Sequence, residues 1–258
     1  MVGRGARVFG TLSVMLLLTA CGGGQEHTAG HTAPDTTAKP PDTAPKPLMD
    51  AVAATEHART VTGTYAWETK GLPALQGRFA IQRAPFAASA RDGSEYVIAV
   101  GGDGYKTSTA FGGTKWTKVA LRPPGGTAAP GSPDKVTQKI TEIDPLANVK
   151  FFAAASKDFR TLSTGPNENG STRHFSGALL GLELDERKKV RDTSVPDPRG
   201  PNLLWSKDSF EVWTDDRLQV RKFVITSDTN LRLTVTVTAY DRPTSIKAPS
   251  AARTEPGS

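Results

Sequence analysis

One cysteine, Cys21, and four histidines are all that 258 residues provide of the two most reactive side-chain types. A single thiol closes no intramolecular disulfide, so a packed core must hold the fold. Scarce histidine leaves little material for general-base or metal chemistry. His27 and His31 stand in a proline-rich stretch without further ligands, His57 ends a predicted helix, and His174 lies in the predicted strand Thr172-Arg173-His174-Phe175. Glu26 and Glu56 precede His27 and His57, but no histidine is paired locally with a carboxylate or nucleophile in a catalytic motif. A Gly-x-Ser-x-Gly elbow, a His-Glu-x-x-His helix, a phosphate loop and a Cys-x-x-Cys pair are missing as well. Gly101-Gly102-Asp103-Gly104 opens no helix and reads as a hairpin turn. Asp215-Asp216 reads as a solvated turn between strands and not as a cation site. The expectation is a protein that is not an enzyme, with no catalytic residue, no metal and no cofactor. The net charge of +6 is spread along the chain without a concentrated basic tract, so no nucleic-acid partner is expected.

Long apolar runs are lacking too. The longest, Val8 to Leu18, contains Gly10, Thr11 and Ser13 and is too short for a hydrocarbon core of ~30 Å. It follows Arg4 and Arg7 and precedes small residues, which is the architecture of a secretory signal. The run ends in Leu18-Thr19-Ala20-Cys21, which resembles the lipobox of bacterial lipoproteins. That resemblance implies cleavage before Cys21, a diacylglyceryl group on its sulfur, and a protein anchored on the extracytoplasmic face of the cell membrane. Two acyl chains hold stably where one is marginal, at ~0.8 kcal/mol per buried methylene. Processing would remove Arg4 and Arg7 and no acid, lowering the charge from +6 to +4. The remainder suits a weak attraction to anionic lipid or wall polymer.

Residues 1–20 are therefore expected to be a signal peptide and residues 21–47 a lipidated cysteine and stalk. Gly22 to Pro47, rich in glycine, threonine and proline, buries too little apolar surface to offset its ordering entropy and is predicted to be disordered. A domain is expected over 48–249, followed by a disordered tail over 250–258. The domain opens with a short helix from Leu48 to near Arg59. Period-two alternation then predicts strands at Val61–Thr69 and Leu75–Gln82, and a hairpin of Phe86–Arg91 and Glu95–Val100 around Asp92-Gly93. A strand at Thr114–Leu121 and a loop over Arg122–Pro133 follow. Asp144 as N-cap and Pro145 at the first helical position open a helix to Ala155. Later strands are Phe159–Thr164, Ser171–Leu179, Phe210–Thr214, Leu218–Thr226 with a bulge, and Leu231–Tyr240. Leu182–Val190 reads as a charged surface helix and Asp192–Asn202 as loop. The regular spacing of short strands argues an antiparallel meander and an α+β class.

The order of these elements resembles the LolA-like superfamily, and within it the actinobacterial LppX/LprG-type lipoproteins. The carriers are Arg59-Thr60-Val61-Thr62-Gly63, the Asp144-Pro145 helix, Ser171-Thr172-Arg173-His174-Phe175-Ser176-Gly177, Val212-Trp213-Thr214-Asp215-Asp216-Arg217-Leu218 and the segment Tyr240 to Pro249. The resemblance implies a curved antiparallel sheet, an unclosed half-barrel, with helices covering its concave face. It also implies a hydrophobic cavity for an acyl chain of a lipid or lipoglycan. Residues 182–207 depart from the family as an insertion. On the residues themselves, Trp67, Phe79, Ile81, Leu146, Val149, Phe151, Phe152, Leu233 and Val235 are the candidate lining. The same residues equally suit a solid core. The competing reading is a ligand-free interaction or sensor module of the cell envelope, with an unidentified membrane or wall protein as partner.

Overall fold

The period-two alternation that begins after Arg59 folds into a single sheet, which has twelve strands among the described residues. They are β1 (Thr60–Thr69), β2 (Leu75–Arg83), β3 (Phe86–Asp92), β4 (Glu95–Val100), β5 (Asp103–Ser108), β6 (Trp116–Ala120), β7 (Ser156–Thr164), β8 (Arg173–Leu179), β9 (Ser209–Thr214), β10 (Val220–Thr226), β11 (Leu231–Tyr240) and β12 (Thr254–Pro256). The helices are α1 (Lys46–Glu56), α2 (Lys135–Ile143) and α3 (Pro145–Ala155). This computed structural model describes residues 44–93, 95–108, 115–121, 134–164, 173–179, 208–228 and 230–256, all within the compact unit Lys39–Ser258. The signal peptide, Cys21, nearly all of the stalk and the 182–207 insertion lie outside the described residues.

The strand order is β12-β6-β5-β4-β3-β2-β1-β11-β10-β9-β8-β7. The first long strand and the last therefore lie side by side at the centre, and two meanders run outward from them. Every pair is antiparallel except β12 on β6. The edges, β12 and β7, do not meet, so the sheet stays unclosed. The link from β6 near one edge to β7 at the other carries α2 and α3 across the concave face. There α2 packs on β3, β4 and β5, and α3 packs on β10, β7 and α1.

Burial follows the alternation read from the sequence. In β11, Leu233, Val235 and Val237 are buried, and they lie opposite Trp67, Tyr65 and Gly63 of β1. The β1–β11 register shifts between Thr62 and Gly63, and such a bulge bends a strand and raises its local twist. A Cβ on Gly63 would lie 2.3 Å from the Thr236 carbonyl oxygen, so only glycine permits this approach. A second register shift, between Val220 and Lys222 of β10, is the expected bulge.

Each helix begins where local chemistry supplies a start. Pro47 occupies the first turn of α1, where its missing N–H costs nothing. Asp144 accepts a hydrogen bond from the Leu146 N–H at 3.0 Å to cap α3, as expected. Most of α3 is buried, as befits a helix apolar on most of its circumference.

Four expectations need correction. The segment before Asp144 forms a separate helix, α2, capped by Asp134, which accepts from the Thr137 N–H at 2.8 Å. Its Val136, Ile140 and Ile143 are buried, an i, i+4, i+7 stripe. The tail is not disordered over 251–256: Ala251–Arg253 forms a 3-10 turn and β12 pairs with β6. Asp103 and Gly104 belong to β5, and Gly101 and Gly102 alone make the turn, with φ of +62° and +87°. Asp215 is buried rather than solvated, accepting from the N–H groups of Arg217 and Gln219 and from Arg221 Nε.

Candidate functional site

Eight of the nine predicted lining residues, Phe79, Ile81, Leu146, Val149, Phe151, Phe152, Leu233 and Val235, come together in one buried cluster, with Trp67 half-buried against it. Phe152 stacks on Phe210 at 4.5 Å between ring centres and meets Phe223 edge-on at 5.8 Å. Between α3 and the sheet the space is filled. Leu146 also faces open volume.

That volume lies at the elbow between α2 and α3, where the helices pass over two strand turns. It measures about 870 Å³, inside the ~300–1,000 Å³ range of small-ligand sites. Thr137, Ile140 and Thr141 of α2, and Leu146, Ala147 and Lys150 of α3 with the cap Asp144, form one wall. Gln82, Pro85, Phe86 and Ala87 from the β2–β3 turn, and Ala99, Val100, Gly101 and Gly102 from the β4–β5 turn, form the other. Leu121 and Ile246 complete it. The space exists because the sheet offers small side chains here. The left-handed φ at Gly101 and Gly102 strongly favours glycine, and Ala87 and Ala99 stop short of the helices. Phe86 is 50% exposed and forms an apolar lip.

The frame around the pocket is polar and fixed. Arg83 makes a two-pronged contact with Asp144, Nη1 to Oδ2 at 3.2 Å and Nη2 to Oδ1 at 2.9 Å. Burial disfavours the Arg83 charge, but the field and hydrogen bonds of Asp144 outweigh it and raise the guanidinium pKa. Lys150 donates to Glu56 of α1 at 2.7 Å. That hydrogen bond, and then the charge of Lys150, hold the Glu56 carboxyl below the usual carboxylate range.

Towards the β3–β4 turn, Asp92 of β3 is 1% exposed in its side chain and binds Lys139 Nζ of α2 at 2.8 Å. The Glu95 N–H donates to it at 2.9 Å and the Tyr65 hydroxyl at 3.4 Å. Burial, and then the Asp92 charge, push the Tyr65 phenol well above its ordinary value, so it remains a donor. His174 stacks on Trp213 at 4.1 Å and meets Glu211 at 2.7 Å, a partner from another strand that sequence proximity did not reveal. Among the described residues no group of three or more His, Cys, Asp or Glu is placed to hold a metal, and no helix is long and apolar enough to cross a membrane.

Sequence reasoning missed Ile140, Phe86, Leu121 and Ile246. The Val136-Ile140-Ile143 spacing would have found the first. Phe86 and Leu121 lie at the ends of strands predicted from the alternation, and Ile246 lies after the last long strand in a segment with no periodic pattern.

Sheet, helices and pocket together define an α+β fold in which one unclosed sheet is covered on a single face by helices. Among solved structures, the chain is similar to lipoprotein LppX of Mycobacterium tuberculosis, with a TM-score of 0.50 at 11% identity over 78% of this chain and 97% of that one. An uncharacterized conserved protein from Thermus thermophilus matches with a TM-score of 0.44 at 6% identity, covering 82% of this chain and 98% of that one. A LolA superfamily protein from Nitrosomonas europaea matches with a TM-score of 0.29 at 6% identity, covering 78% and 95%. No protein-family model and no curated protein sequence matches the chain. The match to LppX shows a shared fold and carries no ligand across.

Proposed function

We propose that this protein is a non-catalytic lipid carrier of the cell envelope, anchored through an acylated Cys21, and that the pocket under the α2–α3 elbow takes an acyl chain of a lipid or lipoglycan. The observation that carries this reading is the 870 Å³ space walled by Ile140, Leu146, Phe86, Val100, Leu121 and Ile246. At about 30 Å³ per water-sized group, it holds roughly thirty such groups, enough for one long acyl chain and part of a second chain or headgroup. Polar groups gather at the pocket: Gln82, Thr137, Thr141 and Lys150 line it, and beyond their bonds to Pro85, Asp134, Thr137 and Glu56 each keeps a further donor or acceptor position for a glycerol, sugar or anionic headgroup.

The test is chain-length dependence. Each methylene moved from water contributes ~0.8 kcal/mol, so two more carbons tighten binding by about tenfold. Titrating the protein with fatty acids from decanoate to palmitate should give that progression. Ala147→Trp, which places an indole in the pocket from a half-buried position, should flatten it while the melting temperature holds. A wild-type protein that purifies without lipid and binds no fatty acid or phospholipid would overturn the carrier reading, leaving the interaction module.

A further inference from the structure

The convex face of the sheet carries a groove of about 610 Å³, separate from the pocket. Its walls include Arg78, Arg91, Thr64, Thr234 and Thr236, which belong to the outward phase of β2, β3, β1 and β11. The register places a continuous row across five strands: Lys222 opposite Thr236, Thr236 opposite Thr64, Thr64 opposite Arg78, and Arg78 opposite Arg91. At ~4.8 Å per strand step, the row is about 19 Å long. Its charged members are all cationic.

Like charges directly opposite one another destabilise a strand pair, so the Arg78–Arg91 pairing works against the fold when empty. Both arginines are exposed, and no ion pair to either is found among the described residues. The one carboxylate residue that lines the groove, Asp92, is buried and bound to Lys139. Two guanidiniums, threonine hydroxyls and no free acid constitute a donor set for oxyanions, and guanidinium matches carboxylate or phosphate with two parallel bonds. The recess and the linear spacing decide between possible anions. A bilayer presents its headgroups as a plane with no preferred line, whereas a linear chain bearing repeated charges follows the row.

We propose that this groove, with the row that continues it to Lys222, binds a linear anionic polysaccharide, its acidic groups on Arg78 and Arg91 and beyond the groove on Lys222, and its hydroxyls on the threonines between. The proposal is independent of the acyl-chain reading. The test titrates the full-length protein with polygalacturonate, with neutral dextran and phosphatidylglycerol vesicles as parallel arms, at low and raised sodium chloride. The expected result is binding of polygalacturonate and not dextran, weakening as salt rises. Arg78→Gln/Arg91→Gln should bind at least tenfold more weakly, and Lys222→Gln severalfold. The double variant should melt no lower than wild type and keep fatty-acid binding unchanged. The proposal is overturned if wild type does not bind polygalacturonate, or if the double variant binds it equally well. It is also overturned if vesicles alone are captured in an arginine-dependent way, because the face would then read a bilayer.

Discussion

Replacing Gly63 with alanine adds one methyl group at the closest approach of β1 and β11, the two central strands. An ideal Cβ there lies 2.3 Å from the Thr236 carbonyl oxygen and 2.6 Å from the Phe79 ring. Phe79 is buried against other core side chains and Thr236 O is backbone, so neither yields cheaply. Overpacking of this kind costs about 1–3 kcal/mol, and displaced backbone puts Gly63 at the upper end. Loss of unfolded-chain entropy returns about 0.4–1 kcal/mol. The net loss is then about 2 kcal/mol, which for a domain of this size lowers the melting temperature by about 4–8 °C. Gly93→Ala is the control, because nothing lies within 4 Å of its Cβ and its φ is not left-handed. That variant should melt with wild type or slightly above it. Thermal melts of both variants, followed by circular dichroism at strand wavelengths, make the comparison. If Gly63→Ala melts within a degree of Gly93→Ala, the central register described for β1 and β11 is wrong.

Other perturbations probe the polar contacts and the anchor. Lys139→Met strands the buried Asp92 carboxylate and should cost about 3 kcal/mol; adding Asp92→Asn should recover much of it, as a double-mutant cycle of denaturant midpoints would reveal. Glu56, held below the usual carboxylate range by Lys150, contributes stability that is fully present above the ordinary glutamate pKa and lost as pH falls through the lowered folded value. The pair is largely exposed, so the difference between wild type and Glu56→Gln should be below about 1 kcal/mol at neutral pH and should vanish in acid melts. Cys21→Ala should release the protein to the medium or leave an uncleaved precursor, and equal membrane fractionation of variant and wild type would refute lipid anchoring.

The site was legible in part. Apolar residues of the Asp144-Pro145 helix and of the central strands were identified as facing one another, and they do. Whether such residues enclose a cavity or fill it is not a property of their type, since both arrangements need the same apolar side chains. The deciding residues are small ones, Ala87, Ala99, Gly101 and Gly102, which leave volume beneath Ile140 and Leu146. The volume at the helix elbow consequently lies away from Val149 and Val235, which are 1% and 0% exposed. A charge placed at either of those two would unfold the protein before it reported on ligand.

What the sequence determined by itself is whatever depends on neighbours in the chain. Alternation in Leu231–Tyr240 dictated a strand with one buried face, Asp144-Pro145 dictated a helix start, and Asp92-Gly93 dictated a hairpin, because side-chain periodicity and capping act over a few residues. The stripe Val136-Ile140-Ile143 was equally local and equally present. The tertiary structure alone decided the pairing of β1 with β11, the seating of Ile246 at the pocket, the burial of Asp92 with Lys139, and the row from Lys222 to Arg91. Each joins residues far apart in the chain, and the free energy that selects them comes from packing the whole sheet against one core, which no window of sequence contains.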